Sequence, residues 1–245
     1  MEIKGFLPST FIDYPGKVAA VIWTPGCNLR CPICYNIDLV LNKPGLPCYP
    51  EERIIAHLKK ERDFLDGLVI TGGEPTLQSD LLQFVKKIKT AGFLVKLDTN
   101  GTNPMALREL LKEKLLDFVA LDIKGPPDAE KFSFLTGISP QAFSKILSSV
   151  ITCVDLLLDS GVEYEIRTTV APNSLQEDDF VEISRLLKSR TERSLFPGRY
   201  VIQNFFSAPT LNPEFATRKP WEKERLCNLQ KKLQPYFREV IIRDR

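Results

Sequence analysis

The chain has 245 residues, of which 43% are apolar and 26% are charged, and its formal net charge is +2. This balance is ordinary for a soluble globular protein and excludes the strong basic field that nucleic-acid-binding surfaces carry. The uninterrupted apolar runs are too short to span a bilayer and the N-terminus lacks the apolar core of a signal peptide, so we expect a cytoplasmic protein without a membrane partner.

The predicted elements begin with an N-terminal cover, residues 1–16, which ends in the turn Asp13-Tyr14-Pro15-Gly16. From there, apolar and β-branched runs that predict strands alternate with amphipathic runs that predict helices. The predicted strands cover residues 17–23, 67–71, 93–97, 118–123, 164–170, 199–206 and 239–242. The predicted helices cover residues 51–64, 77–91, 104–114, 128–135, 140–160, 174–190 and 219–233, and the helix at 174–190 starts with a capping box of Ser174 and Glu177.

Strand and helix alternate almost without interruption, which predicts an α/β fold with right-handed βαβ units and a parallel sheet. Six main units lie within residues 17–206, fewer than the eight that close a barrel, so the pattern fits an open partial barrel or a doubly wound sheet. We expect one domain over residues 1–245, in which residues 207–245 add a C-terminal helix and strand.

Three cysteines follow the first predicted core strand at C-x3-C-x2-C spacing, namely Cys27, Cys31 and Cys34. Thiolates are the usual ligands of iron–sulfur clusters, and a 4Fe–4S cluster with three protein ligands keeps one iron open for chemistry. A structural zinc site completed by Cys48 or His57, or a set of unrelated thiols, are the alternatives.

The other cysteines, Cys48, Cys153 and Cys227, are scattered, and we expect each to be a small buried apolar side chain. His57, the only histidine, is expected at a surface or hydrogen-bonded helix position.

Glycines and polar residues follow the next strands, where ligands bind in parallel α/β folds. Gly72, Gly73 and Glu74 come directly after the second core strand, and the glycines allow a ligand to approach the backbone closely. An ordinary strand-to-helix turn is the alternative there. The later candidates are Asp98, Thr99 and Asn100 after the third strand, Asp122 and Lys124 at the fourth, Arg167 in the fifth and Gln203 in the sixth.

The two aspartates could share a cation or serve only as turn residues, and Lys124 and Arg167 could bind a carboxylate or form internal salt bridges.

The motifs together resemble the radical S-adenosylmethionine (SAM) enzymes, and the N-terminal forty residues look like activating enzymes of anaerobic ribonucleoside-triphosphate reductase. The residues that carry the second resemblance are Gly5-Phe6, Ser9, Asp13, Pro15-Gly16, the stretch from Pro25 to Cys31, and Tyr35-Asn36. The chain departs from the pattern at Tyr14, where activases often have glycine. It departs again at Ile33, where an aromatic residue often precedes the last cysteine.

The resemblance implies a partial (β/α)6 TIM-like barrel in which Cys27, Cys31 and Cys34 bind a 4Fe–4S cluster. It implies that Gly72, Gly73 and Glu74 bind the amino group of SAM. It also implies a monovalent cation held by Asp98 and Asp122 beside the SAM carboxylate.

The implied reaction is reductive cleavage of SAM to methionine and a 5′-deoxyadenosyl radical, which takes hydrogen from a glycine of a partner enzyme. A flavodoxin- or ferredoxin-type protein would donate the electron. The alternatives are a radical SAM enzyme acting on a nucleoside precursor, an RNA base or a peptide, and a non-catalytic iron–sulfur protein of the same fold.

Overall fold

A computed structural model describes residues 1–244 and contains one eight-stranded sheet whose strands lie in chain order. The first strand is antiparallel to the second, and the pairs β2–β3, β3–β4, β6–β7 and β7–β8 are parallel. The prediction of an α/β fold with a mostly parallel sheet is therefore confirmed. The strands are β1 (Gly5–Thr10), β2 (Ala19–Thr24), β3 (Gly67–Gly72), β4 (Leu94–Thr99), β5 (Phe118–Asp122), β6 (Glu163–Thr169), β7 (Phe196–Gln203) and β8 (Phe237–Arg243).

Helices connect the parallel strands at almost every predicted place. They are α1 (Ile37–Val40), α2 (Glu51–Lys60), α3 (Leu81–Thr90), α4 (Pro104–Lys112), α5 (Ala129–Thr136), α6 (Phe143–Ser160), α7 (Glu177–Lys188) and α8 (Lys223–Leu233). The four-residue helix α1 was not predicted, because so short a helix has no periodicity to read.

Three predicted helix starts are early, since α3, α7 and α8 begin at Leu81, Glu177 and Lys223 and not at residues 77, 174 and 219. Helix α7 begins at Glu177, and its capping box consists of Gln176 and Asp179. Asn173 has a positive φ of 64°, so the chain is still turning where the sequence pattern placed the start of the helix. The Asp179 side chain accepts a 2.7 Å hydrogen bond from the Gln176 N–H, which fixes the start two residues later than the predicted cap.

The chain forms two compact units that interleave along the sequence. Unit 1 comprises Met1–Asn28, Asn36–Thr99 and Asn103–Ala120. Strands β2, β3 and β4 form its centre, and small apolar residues such as Ala19 and Val69 pack there with Phe118. Tyr14 belongs to this cluster at 3% exposure, with its ring centroid 5.9 Å from that of Phe118. A glycine at position 14 would leave this space unfilled.

The outer strand of unit 1, β1, is interrupted along its edge at Pro8. Pro8 lies within it and has no N–H to donate. The pairing register with β2 shifts between Leu7 and Thr10, and the Pro8 carbonyl is 3.0 Å from His57 Nε2. The His57 ring also packs edge-on against Phe6, so the histidine occupies a hydrogen-bonded helix position as expected.

Unit 2 comprises Leu29–Tyr35, Asn100–Thr102 and the chain from Leu121 onward. Strands β6, β7 and β8 form its centre, where Tyr200 and Phe237 stack with ring centroids 4.5 Å apart. Burial raises the pKa of Tyr200, whose hydroxyl donates to Thr168. The single-domain organisation of residues 1–245 stays a prediction.

One helical stretch of unit 2, Pro140–Ser160, is long and apolar enough to cross a membrane by length and composition. Its most apolar 18-residue segment has a mean hydropathy of 1.4, and 22% of that segment is buried inside the protein. The helix itself was predicted, but its apolar character is not visible as an uninterrupted run because serine and threonine alternate with the apolar residues. A helix that packs on the sheet of a globular protein can have the same length and apolar composition.

Candidate active site

In unit 1, the turn after β3 is hydrogen-bonded to the residues that lead into the cysteine loop. Gly73 N–H donates to the Thr24 carbonyl at 2.9 Å, and Glu74 N–H donates to the Gly26 carbonyl at 2.8 Å. The Asn36 side chain donates to the Gly72 carbonyl at 2.9 Å. Sequence reasoning gave Asn36 no role, although it stands two residues after the last cysteine. Cys27, which follows Gly26, is half-buried and its thiol is not in a disulfide.

The two glycines of this turn are required by close backbone packing. Gly72 has a φ of 128°, and a Cβ on it would lie 2.3 Å from Thr24 N. A Cβ on Gly73 would lie 1.9 Å from the Gly26 carbonyl oxygen. The sequence pattern suggested glycines for the approach of a ligand. The structure shows that the chain itself makes a close approach there.

Glu74 is fully buried, and its carboxylate joins the turn after β3 to the end of β4. Its Oε1 accepts from Thr76 N–H at 3.1 Å, from the Thr76 hydroxyl at 2.6 Å and from the Thr99 hydroxyl at 2.7 Å. The side chains of Glu74 and Thr99 therefore face the protein interior.

Asp98, the next predicted site residue in unit 1, forms an ion pair with Lys96. Both residues lie on β4 two positions apart, so their side chains share one face of the strand. The Lys96 side chain is 2% exposed and its ammonium lies 5.9 Å from the Phe118 ring centroid. Lys96 was not predicted as a site residue, although its spacing of two residues from Asp98 on a strand places both side chains on one face.

In unit 2, Asp122 lies between two basic side chains. Its Oδ1 is 2.7 Å from Arg167 Nε and its Oδ2 is 2.9 Å from Lys124 Nζ. Burial alone would raise the pKa of Asp122, but the positive charges of Arg167 and Lys124 outweigh it and hold that pKa well below its usual value. Burial would lower the pKa of Lys124, but the charges of Asp122 and Cys31 hold it above its usual value.

Arg167 continues into a second buried ion pair. Its guanidinium is 3.8 Å from Glu165, which is fully buried and also lies 3.3 Å from Arg243. The internal salt bridges that sequence reasoning allowed for Lys124 and Arg167 are therefore present. Asn100 is buried too, and it caps its own turn by accepting from the Thr102 N–H and hydroxyl.

The second part of the cysteine loop belongs to unit 2 and is fixed at two places. Arg30 N–H donates to the Thr136 carbonyl at the end of α5, at 2.8 Å. The residues after β7 hold the other side, since Leu211 N–H donates to the Cys34 carbonyl and Asn212 N–H to the Pro32 carbonyl, each at 2.9 Å.

Tyr35 strengthens the attachment of the loop to the residues after β7. Its ring stacks on Phe206 with centroids 4.2 Å apart, and its hydroxyl donates to the Phe206 carbonyl and accepts from the Phe206 N–H. Gln203, at the end of β7, has a buried amide oxygen without a hydrogen-bond partner.

Cys31 and Cys34, like Cys27, are half-buried thiols outside any disulfide, and thiols are the donor groups that an iron–sulfur cluster takes. Within residues 1–244, no group of three or more histidine, cysteine or acidic side chains is arranged to hold a single metal ion. The three scattered cysteines were all expected to be buried, but this is correct only for Cys153, since Cys48 is exposed and Cys227 half-buried. Cys48 lies in an irregular segment before α2 that has no core to face.

Comparison with known proteins gives a sequence match and a structural match. The profile of the Radical SAM superfamily matches residues 21–187. A Methanocaldococcus jannaschii protein described as a candidate glycyl-radical enzyme activating enzyme is 34% identical, over 98% of this chain and 95% of its own. The pyruvate formate-lyase-activating enzyme of Streptococcus mutans is 30% identical, over 77% of this chain and 74% of its own.

The crystal structure of Streptococcus suis SuiB bound to S-adenosylmethionine superposes with a TM-score of 0.66 at 16% identity. The match covers 92% of this chain and 51% of the SuiB chain, so this protein spans about half the length of SuiB. This likeness shows the fold and confirms the predicted partial TIM-like barrel.

Proposed function

Because the chain belongs to the radical SAM superfamily, we propose that it is an activating enzyme that installs a glycyl radical in a partner protein. The observation that carries the proposal is the likeness to a candidate activating enzyme over nearly the whole chain. The half-buried loop of three thiols outside any disulfide supports it. The family implies a 4Fe–4S cluster and SAM as cofactors.

Cys27, Cys31 and Cys34 would hold the cluster, and their thiol chemistry fits it. When bound, the cluster supplies one electron to SAM, whose cleavage gives methionine and a 5′-deoxyadenosyl radical. The chain's own task is to bind and orient. The backbone of Gly72 and Gly73 is half-buried and borders the loop, while Glu74 keeps that turn attached to β4 from inside.

Lys124 and Arg167 bring two positive charges to one carboxylate, so their group carries a net charge of +1 before Glu165 and Arg243 are considered. A further carboxylate, such as that of SAM, is the ligand that such an excess favours. Gln203 offers a buried acceptor at the end of β7 for a ligand N–H or O–H.

The finer part of the proposal concerns the partners. The motifs in the N-terminal forty residues favour anaerobic ribonucleoside-triphosphate reductase as the glycyl-radical protein. A flavodoxin- or ferredoxin-type protein would reduce the cluster, and the reaction would take place in the cytoplasm.

An anaerobic experiment tests both levels of the proposal. The protein is reconstituted with iron and sulfide, reduced, and mixed with SAM and an anaerobic ribonucleotide reductase. Electron paramagnetic resonance then reports a glycyl radical, and chromatography reports 5′-deoxyadenosine. We expect a glycyl doublet that requires SAM. Deoxyadenosine without the doublet would overturn the choice of partner, and absence of both would overturn the proposed reaction.

Single cysteine variants test the ligand set. We expect Cys27→Ala, Cys31→Ala or Cys34→Ala to abolish SAM cleavage and the cluster's visible absorbance, because each removes one of three ligands. Cys227→Ala is the matched control, since that thiol is also half-buried but lies on α8. Full absorbance and cleavage in any of the first three variants would remove that residue from the ligand set.

A further inference from the structure

The family resemblance implies a monovalent cation beside Asp98 and Asp122, and the structure gives both carboxylates protein cations instead. On β4, Asp98 forms an ion pair with Lys96, whose side chain is almost completely buried. A buried ammonium ion requires an anionic partner to offset its lost hydration. The two side chains share one face of the same strand, so the pairing follows directly from the local sequence.

The surroundings of the Lys96 ammonium favour its contact with Asp98. The ring of Phe118 lies 5.9 Å away and the Asp98 side chain is only 16% exposed. Potassium and sodium bind through several oxygen atoms at once, and a neighbouring ammonium both occupies a carboxylate oxygen and repels a second positive charge. Asp98 therefore does not fit the role of a cation ligand.

Asp122, in the other unit, leads to the same conclusion independently. Both its oxygens are occupied, Oδ1 by the Arg167 guanidinium and Oδ2 by the Lys124 ammonium, at 2.7 and 2.9 Å. Two positive charges against one negative charge repel an added cation.

We propose that Lys96 supplies within the chain the positive charge that a monovalent cation would bring to Asp98, so that Asp98 and Asp122 need no potassium or sodium ion. The functional part of this inference rests on the proposed SAM cleavage. The binding part concerns the protein alone.

The binding part is tested on the protein without cofactors. The melting temperature is measured in potassium chloride and in tetramethylammonium chloride at equal ionic strength, so that Debye screening is the same in both. For the unchanged chain we expect no difference between the two salts. For Lys96→Met, which takes the Lys96 charge away from the Asp98 carboxylate, we expect melting at a lower temperature and stabilisation by potassium. Stabilisation of the unchanged chain by potassium would overturn the proposal.

Two further variants keep the test informative. Lys96→Arg retains the charge and should remain insensitive to potassium. Lys86→Met removes a lysine of unit 1 whose partner, Glu113, is exposed, and it should behave like the unchanged chain. If Lys96→Met does not fold, the melting temperatures of the unchanged chain and of Lys96→Arg in the two salts still test the proposal.

The functional part is tested on the reconstituted enzyme by the rate of 5′-deoxyadenosine formation in the same two salts. We expect the rates of the unchanged enzyme to agree within about twofold, because ionic strength is matched. Lys96→Met should be slower by about tenfold without potassium and partly restored by it, because a buried charge has lost its partner. A rate that requires potassium in the unchanged enzyme contradicts this inference. Absence of cleavage in both salts contradicts the proposed function instead and leaves the melting result standing.

Discussion

At the scale of single residues, the candidate site depends on groups that face inward. The Glu74 carboxylate accepts three hydrogen bonds from Thr76 and Thr99 inside unit 1. Gly73 makes room for the Gly26 carbonyl. The expected contacts of both residues with a ligand stay predictions. These residues shape the site by fixing the backbone around it.

Gly73→Ala should therefore destabilise the fold strongly. Its Cβ would lie 1.9 Å from a backbone oxygen, a clash that a side chain cannot relieve. We expect a loss of about 3 kcal/mol or more in the free energy of unfolding. Chemical denaturation of the protein without cofactors measures it.

Gly161→Ala is the control for this variant. Gly161 has a φ of 70° and nothing within 4 Å of the added Cβ, so only backbone strain is introduced, at about 1 kcal/mol. Equal losses in the two variants would show that the backbone around Gly73 moves aside freely.

At the scale of elements, the cysteine loop is attached to α5 and to the residues that follow β7. Tyr35 is the main side chain in the second attachment, because it both stacks on Phe206 and exchanges two hydrogen bonds with its backbone. An irregular loop held in this way keeps Cys34 in place without regular secondary structure of its own.

Tyr35→Phe keeps the stacking but leaves the Phe206 N–H without its partner, which should cost about 1–3 kcal/mol of stability. Tyr35→Leu removes the stacking as well and should cost more. We expect iron content after reconstitution to fall in the same order. Unchanged stability and iron content in Tyr35→Leu would show that the attachment does not support the loop.

Much of this element-level arrangement was readable from the sequence. The buried strands of the parallel sheet stand out as apolar runs, and the cysteine spacing marks the loop directly. The burial of Glu74 was not readable, because it depends on Thr99, 25 positions away in sequence. The exposure of Cys48 was not readable either, since a lone cysteine carries no periodicity. Lys96 was readable from its spacing to Asp98, but its charge suggested an exposed side chain.

At the scale of the whole molecule, the net charge of +2 does not reveal that several buried and half-buried charges pair with one another. Asp122, Lys124 and Arg167 in unit 2 and Lys96 with Asp98 in unit 1 form ion pairs within the protein. Such pairs add pH dependence to stability even where the surface charge is nearly balanced.

Acid should therefore destabilise the cofactor-free protein partly through Asp122. Its pKa in the folded chain is held below the ordinary value of 3.8, so the unfolded chain takes up the proton first as the pH falls. The stability that this carboxylate contributes is present at neutral pH. It begins to fall near the unfolded pKa and continues to fall below it. Denaturation midpoints across this range should decrease more steeply in the unchanged protein than in Asp122→Asn. If the midpoints of the two proteins decreased equally with falling pH, Asp122 would not contribute to the acid dependence of stability.

The edge strand β1 has a consequence for how the protein behaves at high concentration. A bare strand edge can template the addition of a strand from another molecule, which is a common route to aggregation. Pro8 offers no donor, its carbonyl already contacts His57, and the shift in register bends the strand at that point. The exposed apolar side chains of Phe11 and Ile12 lie just beyond this stretch. The protein thus exposes an apolar surface at one end of the strand, while Pro8 and the register shift oppose edge-to-edge polymerisation along the strand.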